Sequence, residues 1–107
     1  MNPFDLIKNA KEMQSQMKKM QDEIETYTAE GSSGGGIVKI TLNGKFELLS
    51  VFLDPIAVDP RDITMLQDLI KAAHTDAVIK IRETLKQKAE EITGPMGDLS
   101  NILGNLS

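Results

Sequence analysis

Residues 3–25 carry the first regular hydrophobic pattern of the chain, and it is the pattern of a helix. Apolar residues recur at alternating spacings of four and three, at Leu6, Ala10, Met13, Met17, Met20 and Ile24. This heptad seam is narrower than the apolar stripe of an ordinary globular helix and predicts a helix that packs along one partner helix. Asn2 before Pro3 is a typical helix start. The β-prone residues 26–28 predict that the helix ends near Glu25 and that a short strand follows, ending at Gly31.

Between residues 37 and 53 the pattern becomes that of a β-hairpin. Every second residue of the first run is apolar and shares one face, at Val38, Ile40 and Leu42. Asn43-Gly44 follows, and Asn-Gly between two β-prone runs predicts a two-residue type I′ turn. The second run shares a face only if a β-bulge near Leu49-Ser50 inserts one residue, which aligns Leu48, Val51 and Leu53. A lone hairpin is marginally stable, so we expect the two flanking helices to cover it.

A second helix is predicted for residues 60–93. Its apolar stripe consists of Ile63, Leu66, Ile70, Ala73, Ala77, Ile81 and Leu85. Asp59 is the candidate N-cap, Pro60 suits the first helical position, and Gly94-Pro95 ends the pattern. At 1.5 Å per residue this helix is about 50 Å long, so much of it must extend past the hairpin. Its small residues let another helix approach closely, which predicts a self-association face at Ile70, Ala72, Ala73 and Ala77.

These elements define an α+β fold, in which a helix, a short antiparallel sheet built on a β-hairpin and a long helix follow one another. With 107 residues the chain forms one domain, predicted at 1–94. Residues 95–107 are predicted to be a flexible C-terminal tail. The tail carries four aliphatic residues but no basic residue to hold anionic lipid, so packing is favoured over membrane binding, for Leu99, Ile102, Leu103 and Leu106.

Composition excludes several classes of function. The chain has no cysteine, which removes disulfides, thiolate metal sites and cysteine nucleophiles together. His74 is the single histidine, so we expect no metal site. No apolar run approaches the ~20 residues of a membrane span, and we expect a soluble cytoplasmic protein without a membrane partner.

The glycine-rich stretch 31–36 invites comparison with two motifs, a hydrolase nucleophile motif and a phosphate-binding loop. It fits G-x-S-x-G, with Asp54 and His74 following in the order of an α/β-hydrolase. That motif requires a strand before it and a helix after it, and here a strand follows. A phosphate loop would need a following Gly-Lys-Ser/Thr and a helix N-terminus. We therefore predict that this stretch is a flexible turn. We also expect no cofactor and no small-molecule substrate.

Charge is segregated along the chain, although the net charge of −4 argues by itself against a dedicated nucleic-acid binder. Residues 80–88 carry four basic side chains against one acid, a local charge of +3. Residues 54–68 carry four acids against one arginine, a local charge of −3. If DNA is bound, phosphates must meet the basic clusters of the two helices, which are Lys8, Lys11, Lys18 and Lys19 on the first and Lys80, Arg82, Lys86 and Lys88 on the second. The alternative is a solvated helix face with i,i+4 ion pairs.

The order of the parts resembles the YbaB/EbfC family of bacterial nucleoid-associated proteins. The most specific part of the resemblance is the glycine-rich turn followed by Val38-Lys39-Ile40-Thr41 and Asn43-Gly44. The resemblance implies an α-β-β-β-α fold, a tweezer-like homodimer and a place in the bacterial nucleoid. It also implies binding of double-stranded DNA with little sequence specificity, alteration of DNA conformation or gene expression, and no enzymatic activity.

A different class of function also fits two helices that flank a hairpin. Prefoldin-like coiled-coil chaperones share this arrangement, and methionine-rich seams accept varied apolar partners. The alternative function is therefore a prefoldin-like chaperone or a protein-interaction module. Salt separates the two hypotheses. DNA affinity falls steeply with ionic strength, whereas capture of an apolar client holds or rises.

Overall fold

The computed structural model describes residues 2–93, which form a three-stranded antiparallel sheet with one helix before it and one after it in the chain. In chain order the elements are α1 (Pro3–Thr26), β1 (Thr28–Ser33), β2 (Val38–Asn43), β3 (Leu48–Leu53), a 3₁₀ turn (Pro55–Ala57) and α2 (Ile63–Thr93). The strands lie in the order β1-β2-β3, so β2 is central and β3 is an edge strand. This architecture confirms the predicted α+β fold. The predicted tail at 95–107 lies outside the described residues.

The core lies between α2 and the first two strands of the sheet. The fully buried residues include three from β2 and three from α2, which are Val38, Ile40, Leu42, Ala73, Ala77 and Ile81. Gly31 of β1 lies directly beneath the helix. A Cβ atom at this position would stand 2.1 Å from the Ala77 amide nitrogen and 2.3 Å from the Ala73 carbonyl oxygen. The small residues of α2 therefore allow a close approach to the chain's own strand rather than to a second helix.

The predicted β-bulge is present where the side-chain pattern requires it. Thr41 pairs with Ser50 and Leu42 pairs with Leu48, so Leu49 is the inserted residue. Paired residues of an antiparallel sheet point to the same side. Leu48, Val51 and Leu53 therefore share the face of the buried β2 residues, as predicted.

The predicted two-residue type I′ turn is wrong. The loop contains three residues, because the Asn43 amide donates to the Glu47 carbonyl at 3.1 Å and the Phe46 amide donates to the Asn43 carbonyl at 2.9 Å. The left-handed position is taken by Phe46 with φ 63°, whereas Gly44 has no positive φ. This is the three-residue hairpin loop in which a turn is followed by one left-handed residue. Gly44 is required for another reason, since a Cβ atom there would lie 2.2 Å from the Ile24 carbonyl oxygen of α1.

The expectation that both helices cover the sheet is also wrong. Only α2 packs on it, along β1 and β2. α1 has no buried residue, and its contact with the sheet is confined to its C-terminal end, beside Gly44. Its methionine seam is exposed, with Met13, Met17 and Met20 at 64%, 60% and 52%. The partner helix that the seam predicts is not supplied by the described part of this chain.

The helix starts follow local hydrogen bonding. Asn2 caps α1 as predicted, because its side chain accepts a hydrogen bond from the Phe4 amide at 3.1 Å. α2 begins three residues later than predicted, and its cap is Asp62, whose Oδ1 accepts from the Met65 amide at 3.1 Å. Asp59 instead holds the preceding turn by accepting from the Arg61 amide. In the glycine-rich stretch only Gly34, Gly35 and Gly36 have positive φ, because β1 continues to Ser33.

Candidate nucleic-acid interface

The four lysines of α1 form one basic face of the helix. At about 100° per residue, Lys8, Lys11, Lys18 and Lys19 fall within an arc of about 100°. The centre of this arc lies on the opposite side of the helix from the methionine seam. Residues 8–19 contain no acid except Glu12, so the local charge is +3. One side of α1 is therefore basic and the other is apolar.

The α1 lysines are exposed and make no ion pair with any residue between 2 and 93. The ion pairs of this region join Lys45 to Glu25, Arg61 to Asp59, Lys80 to Asp76 and Lys88 to Glu91. Lysines that are not bound to a neighbouring carboxylate keep their full charge for a partner. A dense array of such charges is what binding to a phosphate backbone requires.

The basic cluster of α2 is divided by the fold. Lys80 lies 3.0 Å from Asp76, and Lys88 lies 3.4 Å from Glu91 and 5.7 Å from the centre of the Tyr27 ring. Both of these lysines are therefore already in contact with groups of the protein.

Arg82 and Lys86 are the part of this cluster that makes no ion pair with another described residue. They are four residues apart and exposed on the side of α2 away from its buried stripe. The Arg82 guanidinium lies 6.0 Å from the Phe46 ring, at the tip of the hairpin. The structure thus brings two of the four predicted α2 residues together on one outer face and separates the other two from them.

Asp76 explains why Lys80 is held in place. Its Oδ2 accepts a hydrogen bond from the Ser32 amide of β1 at 2.9 Å and pairs with Lys80 on the next turn of the helix. These two contacts, the Ser32 amide first, lower the pKa of the Asp76 carboxyl. Asp76 therefore joins α2 to β1 and lowers the charge that Lys80 offers to a partner.

Lys45 at the hairpin tip has a structural role that the sequence did not reveal. Its ammonium group pairs with Glu25 near the end of α1, and this hydrogen bond is the main cause of its raised pKa. Together with the close approach of Gly44 to Ile24, the pair fixes the junction between the hairpin and α1.

The residues predicted to form the self-association face have different positions. Ala73 and Ala77 are buried inside the chain, Ile70 is half-buried, and Ala72 is exposed. An exposed apolar surface lies on β3, at the edge of the sheet opposite β1. Leu48, Val51 and Leu53 are 57%, 45% and 37% exposed, because α2 lies over β1 and β2 and leaves β3 uncovered. The shared face of Leu48, Val51 and Leu53, with its bulge, was readable from the sequence, but the exposure of this face was not.

No helix within residues 2–93 is both long enough and apolar enough to cross a membrane. α1 carries exposed cations that form no ion pair among residues 2–93, and this places the chain in a class of protein suited to a polyanionic partner. The chain belongs to the YbaB/EbfC DNA-binding family, whose model matches residues 1–96. This is a DNA-binding family and not an enzyme family.

Curated relatives agree with this assignment. The chain is 46% identical over 89 residues to a nucleoid-associated protein of Granulibacter bethesdensis, covering 83% of each chain. It is 46% identical over 88 residues to a nucleoid-associated protein of Brucella anthropi, covering 82% of each chain. Among solved structures, the uncharacterized protein HP0035 from Helicobacter pylori has the same fold, with a TM-score of 0.65 and 21% identity. That match covers 88% of this chain and 99% of the other.

Proposed function

We propose that this protein binds double-stranded DNA in the bacterial nucleoid, as a homodimer and with little sequence specificity. The observation that carries the proposal is the basic face of α1, on which four exposed lysines make no ion pair with the described residues. Membership of a DNA-binding family supports DNA as the polyanion.

Low sequence specificity follows from the kind of contact that these side chains make. Lysine is a mobile point charge that binds phosphate oxygens, and phosphate contacts fix position without reading sequence. Arg82 is the exception in the set, since a guanidinium can bind guanine in two places. Its position over the Phe46 ring holds it at the hairpin tip. We therefore propose that the α1 lysines and Lys86 supply most of the affinity.

A homodimer supplies the number of contacts that one small acidic chain lacks. A two-fold axis doubles every basic face. We place the dimer contact at β3, whose open edge and face offer Leu48, Val51 and Leu53. Pairing of two such surfaces would bury the apolar β3 residues that α2 leaves exposed in each chain. Ala73 and Ala77 are buried within the chain and are not part of this proposed contact. The predicted contact at Ile70 and Ala72 stays a prediction.

The decisive experiment removes two lysines of α1 without changing the fold. We expect Lys11→Gln with Lys18→Gln to weaken binding to every mixed-sequence duplex alike. The slope of log affinity against log salt becomes shallower by about 0.9 for each phosphate that the variant no longer neutralises. Fluorescence anisotropy at several salt concentrations measures both quantities.

The matched control removes the same charge elsewhere in the chain. Lys39→Gln with Lys71→Gln changes the net charge equally, at a strand and at the acidic half of α2. We expect this pair to leave the salt slope nearly unchanged. Equal decreases in affinity for the two pairs would mean that net charge, and not the α1 face, governs binding. Lys45 is unsuitable as a control because its pair with Glu25 holds the hairpin to α1.

One observation supports the chaperone alternative, which is the exposed methionine seam of α1. A protein that captures apolar clients through this seam would protect an aggregating client at high salt as well as at low salt. Client protection that holds at high salt, in a protein that binds no DNA even at low salt, would favour that alternative.

A further inference from the structure

An apolar cleft lies where the end of α1, the hairpin turn and the last turns of α2 meet. Its volume is about 300 Å³, and its walls are formed chiefly by Met20, Ile24, Tyr27 and Leu85, with Lys88 beside them. Almost the whole of its surface is apolar. An apolar cleft of this size at the junction of three elements is a place where a further apolar segment can pack.

The cleft continues along α1 as a groove. Met20 also lines a second depression of about 170 Å³, formed with Met13, Gln16 and Met17 on the same helix. The cleft and the groove together follow the seam of α1 from Met13 to Ile24, over about three turns. Methionine side chains adapt to the shape of what packs on them, so this surface accepts an aliphatic segment without a fixed complement.

The chain itself supplies such a segment directly after α2. Leu85 of the cleft lies eight residues before Thr93, a distance of about 12 Å along the helix. Fourteen residues follow in the sequence, beginning with Gly94-Pro95, which is a helix stop that allows the chain to reverse. Residues 96–107 can extend over about 40 Å, so the cleft and the groove are both within their reach.

The sequence of this segment matches the chemistry of the cleft. Its four aliphatic residues are spaced as i, i+3, i+4 and i+7, the sequence spacing of an apolar helix side, at Leu99, Ile102, Leu103 and Leu106. Its single charged side chain is Asp98, and the charged groups of the cleft include Lys88.

We propose that residues 96–107 of each chain fold back onto the cleft and the methionine groove of the same chain. The tethered segment is favoured over a second copy, because a short linker gives it a millimolar effective concentration at the cleft. The docked segment covers the apolar side of α1 and leaves the lysine side accessible. The proposal does not depend on DNA binding.

The absence of cysteine from the sequence makes this proposal directly testable in the full-length protein. Leu85→Cys with Leu103→Cys should form a disulfide within one chain under mild oxidation, seen by mass spectrometry and non-reducing electrophoresis. Lys71→Cys with Leu103→Cys is the control, since Lys71 lies about 21 Å further back along α2. We expect the control to cross-link at least about 10-fold more slowly. Equal rates, or a cross-link that joins two chains, would overturn the proposal.

A second measurement leaves the cleft unaltered. Ile102→Asp with Leu103→Asp should lower the thermal midpoint by about 4 °C or more, the size of shift expected when a packed apolar segment leaves a domain of this size. Ser100→Asp with Asn101→Asp adds the same two charges beside the aliphatic positions and should leave the midpoint unchanged. The proposal fails if both pairs melt at the temperature of the unaltered protein.

Discussion

At the hairpin tip, the backbone conformation and the side-chain contact of Phe46 favour different residue types. Asn43 is buried, and its Oδ1 accepts from the amides of Lys45 and Glu47 at 3.0 Å each, which fixes the loop. The left-handed conformation then falls on Phe46, a residue type that rarely adopts it. The Phe46 side chain lies beside Arg82, so a bulky residue is kept at a position where the backbone would favour glycine.

This conflict predicts an unusual order of stability among substitutions. Phe46→Ala and Phe46→Gly both remove the ring beside Arg82, but only alanine retains the cost of the left-handed backbone. We expect the glycine variant to be more stable than the alanine variant by about 1 kcal/mol. Urea unfolding of the two variants measures the difference. The reverse order, which is normal for other positions, would show that the loop changes conformation when Phe46 is removed.

At the scale of elements, α2 and β1 approach each other closely at Gly31. This contact depends on Gly31 in the strand and on two buried alanines in the helix, Ala73 and Ala77. Two hydrogen bonds reinforce the same contact. Asp76 accepts one from the Ser32 amide, and the Ser33 hydroxyl donates the other to the Leu69 carbonyl at 2.6 Å. Helix and strand are therefore joined by packing and by hydrogen bonds along the same line.

Adding one methyl group should separate these two elements. Because a Cβ atom on Gly31 would meet backbone atoms of α2, which cannot rotate away, we expect Gly31→Ala to cost about 2 kcal/mol or more of unfolding free energy. Gly35→Asn is the control, since no atom lies within 4 Å of a Cβ there and asparagine tolerates its positive φ. Chemical denaturation of both variants tests this. A Gly31→Ala variant as stable as the control would mean that the helix lies further from the strand.

For the whole molecule, the uneven covering of the sheet is the main feature. α2 protects β1 and β2, and the apolar face of β3 is left exposed beside an open strand edge. Exposed edges of this kind pair readily with another strand. Self-association is the arrangement that would protect β3 while keeping both basic helices accessible.

We expect the unfolding of this protein to be coupled to dissociation. The thermal midpoint should then rise with protein concentration, as mass action requires for a dimer. Val51→Asp places a charge on the exposed apolar face and should lower the midpoint and remove its concentration dependence. Ser50→Asp, on the opposite face of the same strand, should keep that dependence. A midpoint of the unaltered protein that does not change with concentration would contradict the proposed dimer.

Local physical chemistry was readable from the sequence by itself. The two helical periods, the Asn2 cap and the bulge at Leu49 depend on residues that are neighbours in the chain, and the structure confirms each of them. The order of the elements, and with it the α+β class, followed from the same local patterns. The candidate lysines were also found by composition, because charge clusters are visible without coordinates.

Only the tertiary structure decided what each pattern contacts. The alanines of α2 predicted contact with a second helix, but Ala73 and Ala77 lie against Gly31 of β1. Small residues allow close packing, but the sequence alone does not determine which element packs against them. Asn43-Gly44 predicted one turn type and forms another, since Gly44 is required by its close approach to Ile24 of α1. Lys80 and Lys11 look equivalent in sequence, yet Lys80 is paired with Asp76 and Lys11 has no ion pair among the described residues. Periodicity fixes which side of an element is apolar or charged, and packing between distant segments fixes what that side meets.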